Sequence, residues 1–247
     1  IHRGDRMKTL VAMDTKSVVG KSLVEERTGQ PCENFRNGDH TTTLIRTENG
    51  KVIEIQHDVM TPQPYNRLYQ LTGTKGFANK YPIAGYALDA KQLNASGVAP
   101  EVDNLNSHSF MPKKDMEALV QKYQHPILKK YGEMAKEVGG HGGMDFIMDS
   151  RLVYCLQNGL PLDMDVYDLA EWCCLAELGE LSMDNNCAAV AFPDFTRGEW
   201  NKVKGYKHAY ASPEDESVAM EKAKKITAKL KEKGAVEWAG EAVENKK

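Results

Sequence analysis

The 247 residues carry 32 basic and 35 acidic side chains, a formal charge of −3 and 41% apolar residues, the composition of an ordinary globular chain. That length can bury a substantial core and excludes a disulfide-stapled miniprotein or a disordered tail; the near-neutral balance offers no basic field to collect nucleic acid. No apolar run reaches the roughly 20 residues that span a bilayer, so no membrane span is expected.

The chain opens IHRGDRM, with neither an initiator Met nor a signal-peptide pattern, which predicts a processed or truncated start. Residues 7–13 read as a strand. The strongest local signal follows: 41–48 and 51–58 alternate apolar and polar side chains around Asn49-Gly50, the signature of a hairpin closed by a type I′ turn. A third strand is predicted over 65–71, a turn over 73–76 and a fourth strand over 77–81, which makes the first third an antiparallel meander.

Helices take over after about residue 112. The helical pattern of 112–137 is interrupted by His125-Pro126, which should end one helix and start another. Residues 144–158 form a helix stopped by Gly159, and 165–183 form a long helix with apolar residues on more than one side, expected to be buried. A short strand over 188–192 ends at Pro193. Ser212-Pro213-Glu214 starts a last helix, a charged surface segment with a thin stripe of Val218, Ile226 and Leu230. Strands first and helices afterwards, without βαβ alternation, predict an α+β fold: a predominantly antiparallel β-sheet covered on one face by α-helices, with a C-terminal surface helix.

Chemistry-bearing motifs are few. Cys32, Cys155, Cys173, Cys174 and Cys187 are odd in number and show no C-x-x-C spacing; Cys155, Cys173 and Cys174 read as buried apolar thiols. No zincin, nucleophile-elbow, P-loop or G-x-G-x-x-G pattern is present. Asp165 and Asp168 share a helical face, where the helix macrodipole already explains them. The glycines of Gly139-Gly140-His141-Gly142-Gly143 let a backbone approach a ligand, with the next helix aiming its N-terminal amides there and His141 as a hydrogen-bonding group; the alternative is a helix-to-helix turn whose His caps a backbone group. Pro62 and Pro64 stiffen the approach to Tyr65, either a sugar-binding hydroxyl or a half-buried aromatic. His57 and Asp58 are neighbours on a strand and face opposite ways, so they are not read as a dyad.

Several segments together, TLIRTENGKVIEIQHD, QPYN, LTGTKGF, HPILKKY, GGHGGMDFIMD, DVYDLAEW and PDFTRGEW, resemble in this order the C-terminal part of the NAD-dependent glycosidases of glycoside hydrolase family 109. These include α-N-acetylgalactosaminidases and belong to the wider Gfo/Idh/MocA superfamily. The resemblance covers about residues 1–200 and implies a substrate and oligomerisation domain over 1–205; the charged helical tail, 206–247, lies outside it. It further implies an N-terminal Rossmann domain, absent here, that binds the cofactor NAD. The chemistry it implies is redox-assisted elimination: transient oxidation of the sugar 3-hydroxyl, loss of the C2 proton, departure of the glycosidic oxygen, addition of water and return of the hydride.

By the same resemblance Tyr65 matches a substrate-contacting tyrosine, and His141, Gly142, Gly143 and Asp145 match a segment expected to line the cleft facing the cofactor domain. The family's principal catalytic His and another active-site Tyr lie upstream of the IHRGDRM segment, and His2 does not match that His. No catalytic residue is therefore expected within the chain, which should be inactive alone. Two other readings stand beside this one: the C-terminal domain of a sugar or polyol dehydrogenase of the same superfamily, and a structural oligomerisation module working through its sheet. The resemblance implies a saccharide substrate and export to the bacterial periplasm, with the cytoplasm as the alternative.

Overall fold

The structure is a computed structural model that describes residues 4–97, 108–157 and 162–202. The stop at Gly159 and the helix from Ser212 fall outside these. The chain divides into two compact units, one of Ile1–Thr61 with Pro126–Lys247, the other Pro62–His125.

The first unit is organised by β1 (Met7–Asp14). An irregularity in its pairing between Met7 and Thr9 brings Met7 onto the same face as Leu10 and Ala12, which simple alternation would not do. Those three, with Ile45 and Phe192, form the core. β1 pairs antiparallel with β2 (Thr41–Thr47), which pairs with β3 (Val52–His57). The predicted hairpin is present, but its turn is different. Thr47 N–H donates to the Lys51 carbonyl (2.9 Å) and Gly50 N–H to that of Thr47 (3.0 Å), and Gly50 alone in the turn has positive φ (76°). This is a three-residue loop rather than a type I′ turn. Asn49 is held elsewhere: its side chain donates to the Gly4 carbonyl (2.7 Å) and its N–H to Asp5 (3.0 Å).

The expected single meander is two sheets. After β3 the Asp58 carboxylate accepts Met60 N–H, Thr61 N–H and the Thr61 hydroxyl, which turns the chain out of the ladder. Pro62 and Pro64 then lack the N–H needed to rejoin it. In the second unit β4 (Gln70–Gly73), β5 (Gly76–Asn79) and β6 (Gly85–Leu88) form an antiparallel sheet in that order. The strand expected from residue 65 starts only at Gln70, because Asn66 accepts Leu68 N–H (2.7 Å) and Leu68 takes a left-handed φ of 46°. The backbone at Met111 donates to Tyr86 (2.8 Å), covering the edge of β6.

Two helices were not visible in the sequence, α1 (Val19–Thr28) and, in the second unit, α2 (Ala90–Ser96); α1 has no side-chain cap of its own. Its amides are satisfied from 20 residues downstream, where Asp39 accepts Val18, Val19 and Gly20 N–H at 2.9 Å each. These bonds hold the Asp39 carboxyl below its ordinary value. The second unit adds α2 (Ala90–Ser96) and α3 (Lys113–Tyr123); α4 (Pro126–Val138) begins at the expected proline break. α5 (Met144–Gln157) follows the glycine-rich turn. The long helix expected over 165–183 is two, α6 (Val166–Cys173) and α7 (Leu175–Asp184), meeting at Cys174 with ψ near zero.

α7 packs its apolar side on the first sheet, through Leu175, Leu178 and Met183, with Cys174 at the joint. The split lets α7 turn its apolar face to β1 while α6 buries Asp168 and Glu171. β7 (Val190–Ala191) closes the four-stranded sheet in the order β3-β2-β1-β7. It is shorter than the strand predicted over 188–192, because the turn before it holds Asn186 and Cys187 at positive φ. The expectation of α+β, with antiparallel sheets and helices, is met. Among the described residues no helix is long and apolar enough to cross a membrane.

Glu171 is the most unusual carboxylate of the first unit. It is 5% exposed, its Oε2 lacks a hydrogen-bond partner, and burial raises its pKa above the ordinary 4.5. The folded chain thus holds this proton more tightly than the unfolded one, so the stability it contributes is complete below about pH 4.5 and is lost as pH rises through the raised value. Glu171→Gln is expected to melt higher than the parent at pH 8, by a gap that shrinks toward pH 4.5. Parallel melting curves across that range would remove the burial argument.

Candidate functional site

Gly139 to Asp145 joins α4 to α5 by a backbone that few sequences could follow. Gly139, Gly140, Gly142 and Gly143 all have positive φ. An ideal Cβ on Gly143 (φ 95°) would lie 2.5 Å from the carbonyl carbon of Ala135, so the turn rests directly on the last turns of α4. His141 itself is left-handed, at φ 47°. Its Nδ1 lies 2.8 Å from Asp145 Oδ2, an i, i+4 pair across the first turn of α5.

The amides expected to face a ligand are partly occupied here. Gly140 O accepts both Gly143 N–H (2.9 Å) and Asp145 N–H (3.3 Å). What remains is a groove of about 650 Å³ lined by Gly139, Gly140, Asp145, Asp149, Ser150 and Tyr154, among others. Asp145, Asp149 and Ser150 share this lining with the apolar Val138, Phe146 and Val153, a mixture that suits a neutral ligand better than an anion. His141 is three-quarters exposed beside it.

Tyr65 belongs to the second unit and is 68% exposed. It lies in the extended run before β4. Its hydroxyl accepts from Arg67 Nε, the Arg67 guanidinium lies 5.5 Å from its ring centroid, and its ring meets Tyr81 edge-on at 5.8 Å. These contacts fix the ring without burying it, so the hydroxyl remains available to a ligand. Close by in sequence, Leu68, Tyr69 and Leu71 face Tyr86, Met116 and Val120 across an apolar groove of about 1250 Å³.

A pairing that the sequence did not suggest stands at the end of β2 and β3. Asp58 does not work with its neighbour His57: its Oδ2 lies 3.4 Å from Nδ1 of His40, whose Nε2 lies 3.2 Å from the Thr42 hydroxyl. Hydrogen bonds from Thr61 and Met60, with His40, hold the Asp58 carboxyl at about 2. Only the antiparallel register, Thr41 opposite His57, brings residues 18 apart together, and no local spacing signals it.

The remaining candidates are structural. Asp165 and Asp168 form a reciprocal capping box at the start of α6, as the macrodipole reading anticipates. All five cysteines are free thiols; Cys155 is buried and Cys174 half-buried, but Cys173, expected inside, is exposed on α6. Among the described residues no group of three or more His, Cys, Asp or Glu is placed to hold a metal ion. The glycine-rich turn does not fit a dinucleotide site either. It follows helix α4 rather than a strand, and Gly140 O already takes two of the amides a pyrophosphate would need.

Comparison with known proteins gives the chain's relatives. The model for "Glycosyl hydrolase 109, C-terminal domain" matches residues 1–202. "Glycosyl hydrolase family 109 protein 5" of Phocaeicola vulgatus is 83% identical over 247 residues, all of this chain and 48% of that protein. "Glycosyl hydrolase family 109 protein 4" of the same species is 84% identical over 242 residues, 98% of this chain and 47% of that protein. A "Glycosyl hydrolase family 109 protein" of Porphyromonas gingivalis is 61% identical over 211 residues, 85% and 45% of the two chains. The chain thus spans about half the length of the curated relatives it matches.

Proposed function

The chain belongs to glycosyl hydrolase family 109, as its C-terminal domain, and from that premise we propose that it is the substrate-contacting part of a NAD-dependent glycosidase acting on α-N-acetylgalactosaminides. The observation that carries the reading is Tyr65, an exposed tyrosine whose ring is fixed by Arg67 and Tyr81 and whose sequence context resembles the family's substrate-contacting residue. Its hydroxyl would hold a sugar hydroxyl. In the first unit the groove beside His141 and Asp145 offers acceptors and an aromatic wall of the kind that borders a sugar cleft.

NAD, when bound, supplies transient oxidation of the sugar. The described residues of this chain do not fit it, and it falls to an N-terminal domain in the other half of such a protein. This chain's residues bind and orient the sugar, and the domain by itself is inactive.

Tyr65→Phe in the whole protein tests the reading. Losing one neutral hydrogen bond to substrate is expected to lower kcat/KM on an aryl N-acetylgalactosaminide by roughly 3- to 10-fold, without a change in melting temperature. Unchanged kinetics would remove Tyr65 from the site.

A further inference from the structure

Two helices of the first unit bury charged side chains while leaving large apolar ones outside. α5 buries Arg151, whose guanidinium donates twice to Asp163 at 3.1 Å, together with Cys155. Its Met144, Met148, Leu152 and Leu156, at unbroken i, i+4 spacing, are between 46% and 67% exposed. α6 repeats the pattern: Asp168 and Glu171 are buried, whereas Leu169 is 59% and Trp172 47% exposed. An amphipathic surface helix does the opposite, because desolvating a charge is costly and leaving an apolar stripe wet forfeits its burial. Exposed apolar rows of this kind mark surfaces that another body covers.

The occupant can be named from three observations. The relatives are about twice the length of this chain. The match is to their C-terminal domain, so a domain-sized stretch of the same polypeptide lies ahead of the matched part in those proteins. The α5 stripe begins at Met144, directly after the glycine-rich turn, and so continues the surface proposed above to border the sugar cleft.

We propose that the exposed stripes of α5 and α6 are the seat of the N-terminal half of the protein. The inference rests on the proposed function only in taking that half to be a separate domain of the same chain. That domain then covers Met144, Met148, Leu152, Leu156, Leu169 and Trp172, and the outward placing of these side chains follows from it, while Arg151, Asp168 and Glu171 serve the inside of this domain.

Peroxide footprinting of the whole protein, read by mass spectrometry over a range of protein concentrations, tests this. Met144 and Met148 should oxidise at least about fivefold more slowly than the same methionines in the unfolded protein, at every concentration. A smaller protection overturns the proposal. So does protection that appears only as concentration rises, which would assign the surface to a second copy. Glycosidase assays on the same sample separate the two readings. Activity with unprotected methionines sinks the docking surface alone, and protected methionines in a protein without hydrolysis of any N-acetylgalactosaminide sink the glycosidase reading alone.

Discussion

Gly143→Ala is expected to destabilise the first unit by roughly 3 kcal/mol, the sum of a disfavoured backbone conformation and a steric collision. The φ of 95° already excludes a side chain, and the new Cβ would sit 2.5 Å from the Ala135 carbonyl carbon and 2.7 Å from its oxygen. Backbone atoms cannot rotate away as a side chain would. Gly142→Ala is the matched control: its φ is 72°, but no atom lies within 4 Å of the added carbon, so only the conformational penalty of about 1 kcal/mol applies. Urea unfolding of both variants measures the difference. Equal midpoints would show that the close approach of the turn to α4 does not matter. The same substitution should disturb the His141–Asp145 pair, because Gly143 sets where α5 begins relative to His141.

Ser182→Ala is expected to cost about 2–3 kcal/mol, more than most polar truncations of this size. Ser182 is fully buried on α7. Its Oγ accepts Ala12 N–H at 3.0 Å and donates to the Ala188 carbonyl at 2.7 Å. The first of these satisfies a β1 amide that has no strand partner, since β7 pairs with β1 only at Thr9 and Leu10. Alanine would leave the Ala12 amide buried and unpaired and would release the more exposed Ala188 carbonyl. Amide exchange provides a local readout: the Ala12 proton should exchange faster in the variant, while amides inside the β2–β3 ladder keep their relative protection. A loss below about 0.5 kcal/mol would mean that water replaces the hydroxyl.

Much of the framework was legible because it rests on short-range patterning. The alternation on either side of Asn49-Gly50 identifies β2 and β3, His125-Pro126 separates α3 from α4, and Asp165 to Asp168 announces the cap of α6. α1 was missed because its cap, Asp39, is remote in sequence. The long helix of 165–183 was read as buried because its apolar residues circle it. In the fold, α7 spends them on the sheet, whereas α6 leaves Leu169 and Trp172 exposed.

The candidate site divides in the same way. The glycine-rich turn could be picked out directly, since four glycines around one His mark a backbone that adopts conformations other residues avoid, and the family resemblance rested on ordered motifs that survive in the sequence whatever the fold. His40 and Asp58 could not be paired in advance, because their meeting depends on strand register.

The sequence by itself determined the α+β class and most local elements, which follow from side-chain periodicity and turn residues within about 20 neighbours, and the family, which follows from the order of motifs along the chain. Tertiary structure alone decided that the strands divide between two sheets, that Ser182 completes β1, and that α5 and α6 turn charge inward and methionine and leucine outward. Those outcomes depend on which distant groups compete for the same backbone amides and buried space, and no pattern along the chain records that competition.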